Sequence, residues 1–144
     1  MEPQGIVARA SATIHAPAAK VWKALTDPAQ IKEYMFGAKV QSDWKEGSAI
    51  SWKGEWKGKT YEDKGRILQL EEEQLLQYSH YSPLSGMPDE PGSYHTVTVK
   101  LEGEGNETKV SLEQDNNASD EERQHSEENW KAMLDGIRKL TEEK

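Results

Sequence analysis

Three residues of the central part of the chain could do acid/base chemistry: Asp63, His80 and His95. A carboxylate beside imidazoles is the combination that moves protons near neutral pH. No sequence feature fixes the three within hydrogen-bond reach of one another or supplies an oxyanion stabiliser, so the expectation is that they catalyse nothing. They also make a poor metal set, because a site needs at least a third ligand and their spacing matches no metal motif. No metal and no cofactor is expected. His15 and His125 fall on polar faces and carry no role.

Other chemistries drop out by elimination. The 144 residues contain no Cys, which removes thiolate nucleophiles, Cys-based zinc sites, iron–sulfur clusters and disulfide scaffolds. None of the serines sits in the Gly-x-Ser-x-Gly turn that would expose a nucleophile. Gly58-Lys59-Thr60 lacks a phosphate loop's first glycine, Lys53 standing in its place, and a strand rather than a helix follows. Gly103-Glu104-Gly105 has no strand-to-helix setting for a dinucleotide. Asn106-Glu107-Thr108 and Asn117-Ala118-Ser119 fit a glycosylation acceptor, yet no secretion signal opens the chain, and they read as a turn and a helix cap.

Charge narrows the partners. Lys and Arg number 18 against 26 Asp and Glu, a net −8, which disfavours nucleic acid. Residues 1–72 hold eleven basic and ten acidic residues, residues 73–144 seven and sixteen. The near-neutral first half could therefore meet a partner that the acidic second half repels. No apolar run approaches membrane-spanning length, and the chain is expected to be cytoplasmic.

The elements that must position Asp63 and the histidines follow from periodicity. Residues 6–15 alternate Ala8, Ala10, Ala12 and Ile14 against polar neighbours, a strand whose small residues suggest close packing. Ala16-Pro17 starts a helix carrying Val21, Trp22 and Leu25, which Thr26-Asp27-Pro28 ends, and a second short helix runs from Pro28 to Tyr34. Trp22 reads as a core anchor. From Gly37 to Gln114 the period is 2, broken by five turn signals, giving six more strands in hairpin succession. Residues 119–143 form the last element, a long helix opened by the capping box Ser119-Asp120-Glu121-Glu122 and striped by Trp130, Met133, Leu134, Ile137 and Leu140. The whole chain reads as one domain with a tail at 1–4 and a Pro-rich internal loop at 82–92.

Alternation then sorts the strand faces. Ile50, Trp52 and Trp56 share a face with Tyr61, Asp63, Gly65 and Ile67 of the next strand. Leu76, Tyr78 and His80 join them, followed by His95, Val97, Val99 and Leu101, then Val110, Leu112 and Gln114. This face should meet the helix stripe. A sheet gripped by a single helix leaves part of its face uncovered, as packed core or as a cavity.

The motifs Ile14-His-Ala-Pro17, Val21-Trp22-Lys-Ala-Leu25-Thr-Asp-Pro28, Ser42-Asp-Trp-Lys-Glu-Gly47, Gly65-Arg-Ile67 and Trp130-Lys-Ala-Met-Leu134-Asp-Gly-Ile137 resemble the AHSA-type family of the START-like (SRPBCC, helix-grip) superfamily, named for the activator of the heat-shock protein 90 ATPase. The resemblance spans nearly the whole chain. It implies an α+β helix-grip fold: a curved antiparallel sheet of about seven strands wrapped around a long C-terminal helix, with two short helices after the first strand. It also implies binding of lipids, polyketides or other apolar molecules, with cyclase-like enzymes among its members.

The expectation is therefore non-covalent binding of an apolar or aromatic small molecule in a cavity of at least roughly 300 Å³. Its lining residues would be Trp52, Trp56, Tyr61, Asp63, Tyr78, His80, His95, Val97, Trp130, Met133, Leu134 and Ile137. Two alternatives stand beside it: a stress-related module that meets a chaperone or other protein through the outer sheet surface, and a cyclase-like enzyme using Asp63 or a histidine.

Overall fold

In the computed structural model, which describes residues 5–35, 37–56, 58–82, 88–90, 93–117 and 119–142, the side chain of Trp56 excepted, the first alternating segment is strand β1 (Ile6–Ile14). The 1–4 tail and part of the Pro-rich loop lie outside the described residues. Pro17 stands at the N-cap of helix α1 (Ala18–Thr26), one position ahead of the first turn. Asp27 then caps α2 (Pro28–Tyr34), its carboxylate accepting from the Ala29 N–H at 3.1 Å. Six strands follow: β2 (Lys39–Ser42), β3 (Ala49–Trp56), β4 (Lys59–Glu71), β5 (Leu75–His80), β6 (His95–Glu104) and β7 (Glu107–Asn117). Helix α3 (Asp120–Glu142) closes the chain, and the Ser119 hydroxyl caps it by accepting from the Glu122 N–H.

The strands form one antiparallel sheet in the order β1-β7-β6-β5-β4-β3-β2. Hairpin connections put sequence neighbours side by side, and β1 enters beside β7 through the register Ala10↔Leu112 and Ala12↔Val110. The result is the helix-grip α+β architecture, with α3 held in the curve of the sheet.

Two ion-assisted contacts fix where α3 lies. The Arg9 N–H donates to the Glu127 carboxylate at 3.0 Å and the His15 N–H to that of Glu142 at 2.8 Å. Six residues of strand span about 20 Å and fifteen of helix about 22 Å, so α3 runs alongside β1 and covers backbone donors that an edge strand would leave open. The alanine stripe permits the approach: Ala8 and Ala10 are buried under it. Gly136 lets α3 close on α2, since a Cβ there would stand 2.9 Å from that of Tyr34.

The interior is aliphatic where the layers meet. Ile14, Ile67, Val97, Val99, Val110, Leu112, Leu134 and Ile137 are all essentially inaccessible. The strand faces follow the alternation in the sequence, with Trp52, Tyr78 and the inner valines buried and their neighbours in the strand exposed or half-exposed. No described helix is long and apolar enough to cross a membrane.

Candidate functional site

Sheet pairing assembles the site. Trp52 stands opposite Asp63 in the β3–β4 ladder and Gly54 opposite Tyr61. His80 stands opposite His95 at the ends of β5 and β6. Alternation aims all of them at α3, where Trp130 completes the ring.

Three local departures from a regular ladder shape this end. Gly54 has no side chain, and the Tyr61 ring occupies the space: a Cβ on Gly54 would meet the phenol oxygen at 2.6 Å. Gly65 lies so close to β5 that a Cβ would stand 1.7 Å from the Ser79 carbonyl oxygen. There the Arg66 N–H turns to the Ser79 hydroxyl at 3.0 Å, and the ladder resumes at Lys64↔Tyr81. On the far side β7 carries one extra residue between Gln114 and Asn117, a bulge in which Asn116 takes φ 58°. Bulges re-aim side chains and gather beside functional sites.

The close approach of β4 to β5 at Gly65 brings Asp63 and His80 together. His80 Nε2 lies 2.9 Å from Asp63 Oδ2, with side chains only 29% and 15% exposed. The sequence left this contact open, because the approach of β4 to β5 at Gly65 depends on a tertiary contact that spacing along the chain does not encode. Asp63 Oδ1 is buried and has no hydrogen-bond partner among the described residues. His95 belongs to the same wall, its ring stacked at 6.5 Å on that of His80. It bonds elsewhere, however, through Nδ1 to the Asp115 carbonyl at 2.8 Å. Asp115 also takes the Thr96 N–H on its carboxylate at 2.6 Å, so the β7 bulge anchors the start of β6.

Behind these polar groups lies a chamber of about 160 Å³. Its apolar walls are Trp52, Tyr78, Trp130, Met35 and Ala38; its polar walls are Tyr61, Asp63, His80, His95 and Gln114. Trp52 meets Tyr78 at 5.3 Å and the edge of His80 at 5.0 Å. The Trp130 indole N–H donates to Gln114 Oε1. Burial pushes the Tyr78 phenol well above its ordinary range; for Tyr61 burial acts first and the neighbouring Asp63 charge second, in the same direction. Both phenols therefore stay protonated and neutral at physiological pH.

Seven of the twelve residues expected to line a cavity border this chamber: Trp52, Tyr61, Asp63, Tyr78, His80, His95 and Trp130. Val97, Leu134 and Ile137 pack in the solid core instead, and Met133 borders a second, far smaller void of about 30 Å³. The side chain of Trp56 lies outside the described residues. The volume falls short of the 300 Å³ expected, because Leu25, Ile31, Met35, Val40, Leu76 and Val99 close on that second void and fill the other half of the interior. Sequence reasoning did not single out Met35, Ala38 and Gln114. The first two lie on the irregular link from α2 to β2, where no period operates, whereas Gln114 was already on the inward face by alternation. Among the described residues no three His, Asp or Glu side chains gather into a group able to hold a metal.

The family model for Activator of Hsp90 ATPase homolog 1-like protein matches residues 15–142. The chain belongs to this family. No curated protein matches the AHSA1-type chain. Among solved structures it is similar to ChR145 from Cytophaga hutchinsonii, at 55% identity and a TM-score of 0.85, over 99% of this chain and 97% of that one. The Aha1 dimer from Colwellia psychrerythraea shares 18% identity at a TM-score of 0.73, over 95% and 96% of the two chains. CalU16 from Micromonospora echinospora shares 22% at 0.71, over 97% and 84%. These last two show that the AHSA1-type fold is common to all three proteins, and a shared fold does not fix a shared function.

Proposed function

We propose that this AHSA1-type protein binds a small organic molecule, about one ring in size, non-covalently in the chamber between sheet and α3. The observation that supports it most is the 160 Å³ void itself, lined by Trp52, Tyr78 and Trp130 together with Asp63 and His80. A mostly apolar pocket with a few convergent polar groups is the usual form of a ligand site. The volume suits a single substituted ring, since a cavity of about 150 Å³ accepts benzene, and is too small for a whole lipid. Screening lipids and aromatic metabolites by ¹⁵N shift perturbation tests this. Ring-sized hits that shift the Trp130 indole N–H and the amides of Tyr61, His80 and His95 would support it. Hits confined to the outer sheet surface would overturn it in favour of a protein-interaction module.

The 2.9 Å contact of Asp63 with His80 favours a second reading, acid/base catalysis on the bound molecule. A carboxylate that orients an imidazole through one nitrogen leaves the other free to take a proton. Turnover of a bound compound that is lost in His80→Gln with its affinity retained would establish that reading; unchanged turnover would remove it.

A further inference from the structure

Beside the hydroxyls of Tyr61 and Tyr78 and the Gln114 amide, which can donate, the chamber walls hold acceptors that call for a donor. Asp63 Oδ2 faces His80 Nε2 at 2.9 Å, and an ionised carboxylate only accepts, so Nε2 carries the proton and a neutral His80 keeps Nδ1 as a lone pair. His95 Nδ1 faces a carbonyl, which also only accepts. That ring is therefore the opposite, Nδ1–H tautomer, with Nε2 as its lone pair. The Trp130 N–H is already spent on Gln114. Among the described residues, Asp63 Oδ1 is buried with nothing bonded to it, and neither Lys nor Arg lines the walls.

Three classes of occupant can be weighed against this inventory. An anion would enter beside a carboxylate with no lysine or arginine among the described lining residues to meet it. A purely apolar molecule would leave Oδ1 without a partner, the costly state for a buried acceptor. An ammonium or amidinium would give an N–H to Oδ1 and lie among Trp52, Tyr78 and Trp130, aromatic rings whose quadrupoles can attract a cation.

We propose that the chamber is a site for a small organic cation, a single-ring amine, amidine or protonated nitrogen heterocycle, anchored through an N–H on Asp63 Oδ1 and packed against the three aromatic rings. This rests on the reading that the chamber holds a ligand, and adds the chemical class. The class differs from the lipids, polyketides and other apolar molecules that the sequence resemblance implies.

Benzylamine, benzyl alcohol and benzoate test it, because they share a ring and differ in charge. Each is titrated into ¹⁵N-labelled protein at pH 8, above the ordinary imidazole range, and followed at the Trp130 indole N–H and the Tyr61, His80 and His95 amides. Benzylamine is expected to bind about tenfold or more tightly than benzyl alcohol, the fold-change that a charge-assisted hydrogen bond gives over a neutral one, and benzoate weakest of all. In Asp63→Asn, whose fold circular dichroism checks, the preference for benzylamine should vanish while benzyl alcohol keeps its affinity. Equal binding of amine and alcohol, or tighter binding of benzoate, would overturn the cation assignment and leave the ligand chamber standing. If none of the three moves those resonances, both fall. The ranking on the unmodified protein decides even if the variant does not fold.

Discussion

On the α2 side of Trp52 and Tyr78, aliphatic side chains from α1, α2, β2, β3, β5 and β6 interdigitate and leave about 30 Å³, space for little more than a water; on the other side the same two rings face about 160 Å³. The chemistry of the walls explains the difference. Leu and Ile side chains shift to fill a gap, and the cost of a cavity depends on how well its surroundings can collapse. Around the chamber the wall groups are tied: His80 to Asp63, His95 to the Asp115 backbone, Trp130 to Gln114. Rings held by hydrogen bonds cannot fold inward without breaking them. The hollow half is thus kept open by its polar contacts, and the solid half holds the sheet to α3.

Truncations on α3 give the largest contrast. Leu134, 1% exposed among core aliphatics, should lose about 2 to 5 kcal/mol on replacement by Ala, the range for a fully buried leucine. Trp130 is larger but borders the chamber and is only half-buried, so Trp130→Ala should cost less than the about 3 to 5 kcal/mol of a buried tryptophan. Denaturant melts of the two variants check this. A larger loss at Trp130 than at Leu134 would mean that the chamber wall is itself core.

Gly65→Ala should follow, at about 1 to 3 kcal/mol, the usual cost of overpacking. The added methyl would sit 1.7 Å from the Ser79 carbonyl oxygen, and backbone cannot swing aside as the end of a side chain can. β4 and β5 must separate there, which pulls Asp63 from His80. The chamber amides should therefore shift while those around Leu134 stay put. Shifts spread evenly over both halves would show the two to be one cooperative unit.

This same glycine marks the limit of what the sequence discloses. Period-2 alternation placed Trp52, Asp63, Tyr78 and His80 on the inner face correctly, because a strand leaves a side chain only two directions. The terminal helix and its cap were equally legible from Ser119 and the stripe ending at Leu140. Whether Asp63 reaches His80 was not legible, since it depends on strand approach at Gly65 and on a one-residue bulge in β4 between Ile67 and Gln69. The cavity volume was hidden for a related reason: it is set by how far Met35 and its neighbours close in, and α2 gives no periodic signal past Tyr34.

Asp63→Asn should change stability little, within about 1 kcal/mol. The amide oxygen can still accept from His80 Nε2, and a neutral His80 is left with no uncompensated charge, the condition that makes breaking a buried pair expensive. The amide nitrogen then stands where Oδ1 stood, without a partner among the described residues, but a neutral group costs less to bury than an ionised one. Thermal melts at pH 8 check this. A loss of several kcal/mol would mean that the Asp63–His80 pair holds the fold, as the Leu134 side does, and would erase the functional contrast between the halves.

The smallest effect is expected next to the chamber but outside it. Lys64, the neighbour of Asp63 on the outer side of β4, forms an ion pair with Asp89, which also accepts from the Tyr94 hydroxyl at 2.7 Å. The hydrogen bond and charge of Asp89 raise the Lys64 ammonium above its ordinary range, and Lys64 together with Tyr94 lowers the Asp89 carboxyl. A lowered carboxyl contributes stability above its ordinary titration range and loses it as pH falls through the lowered value; a raised ammonium contributes below its ordinary range and loses it as pH rises through the raised value. The pair is thus intact across neutral pH, yet both side chains are about half exposed, and solvent and salt screen such pairs to little net effect. Lys64→Met should leave the melting temperature at pH 7 unchanged within error, at low and at high salt, and the His80 and His95 amides in place. Movement of those two amides would show that the Asp89 contact holds the rim of the chamber, and would extend the hollow half outward to the chain that joins β5 to β6.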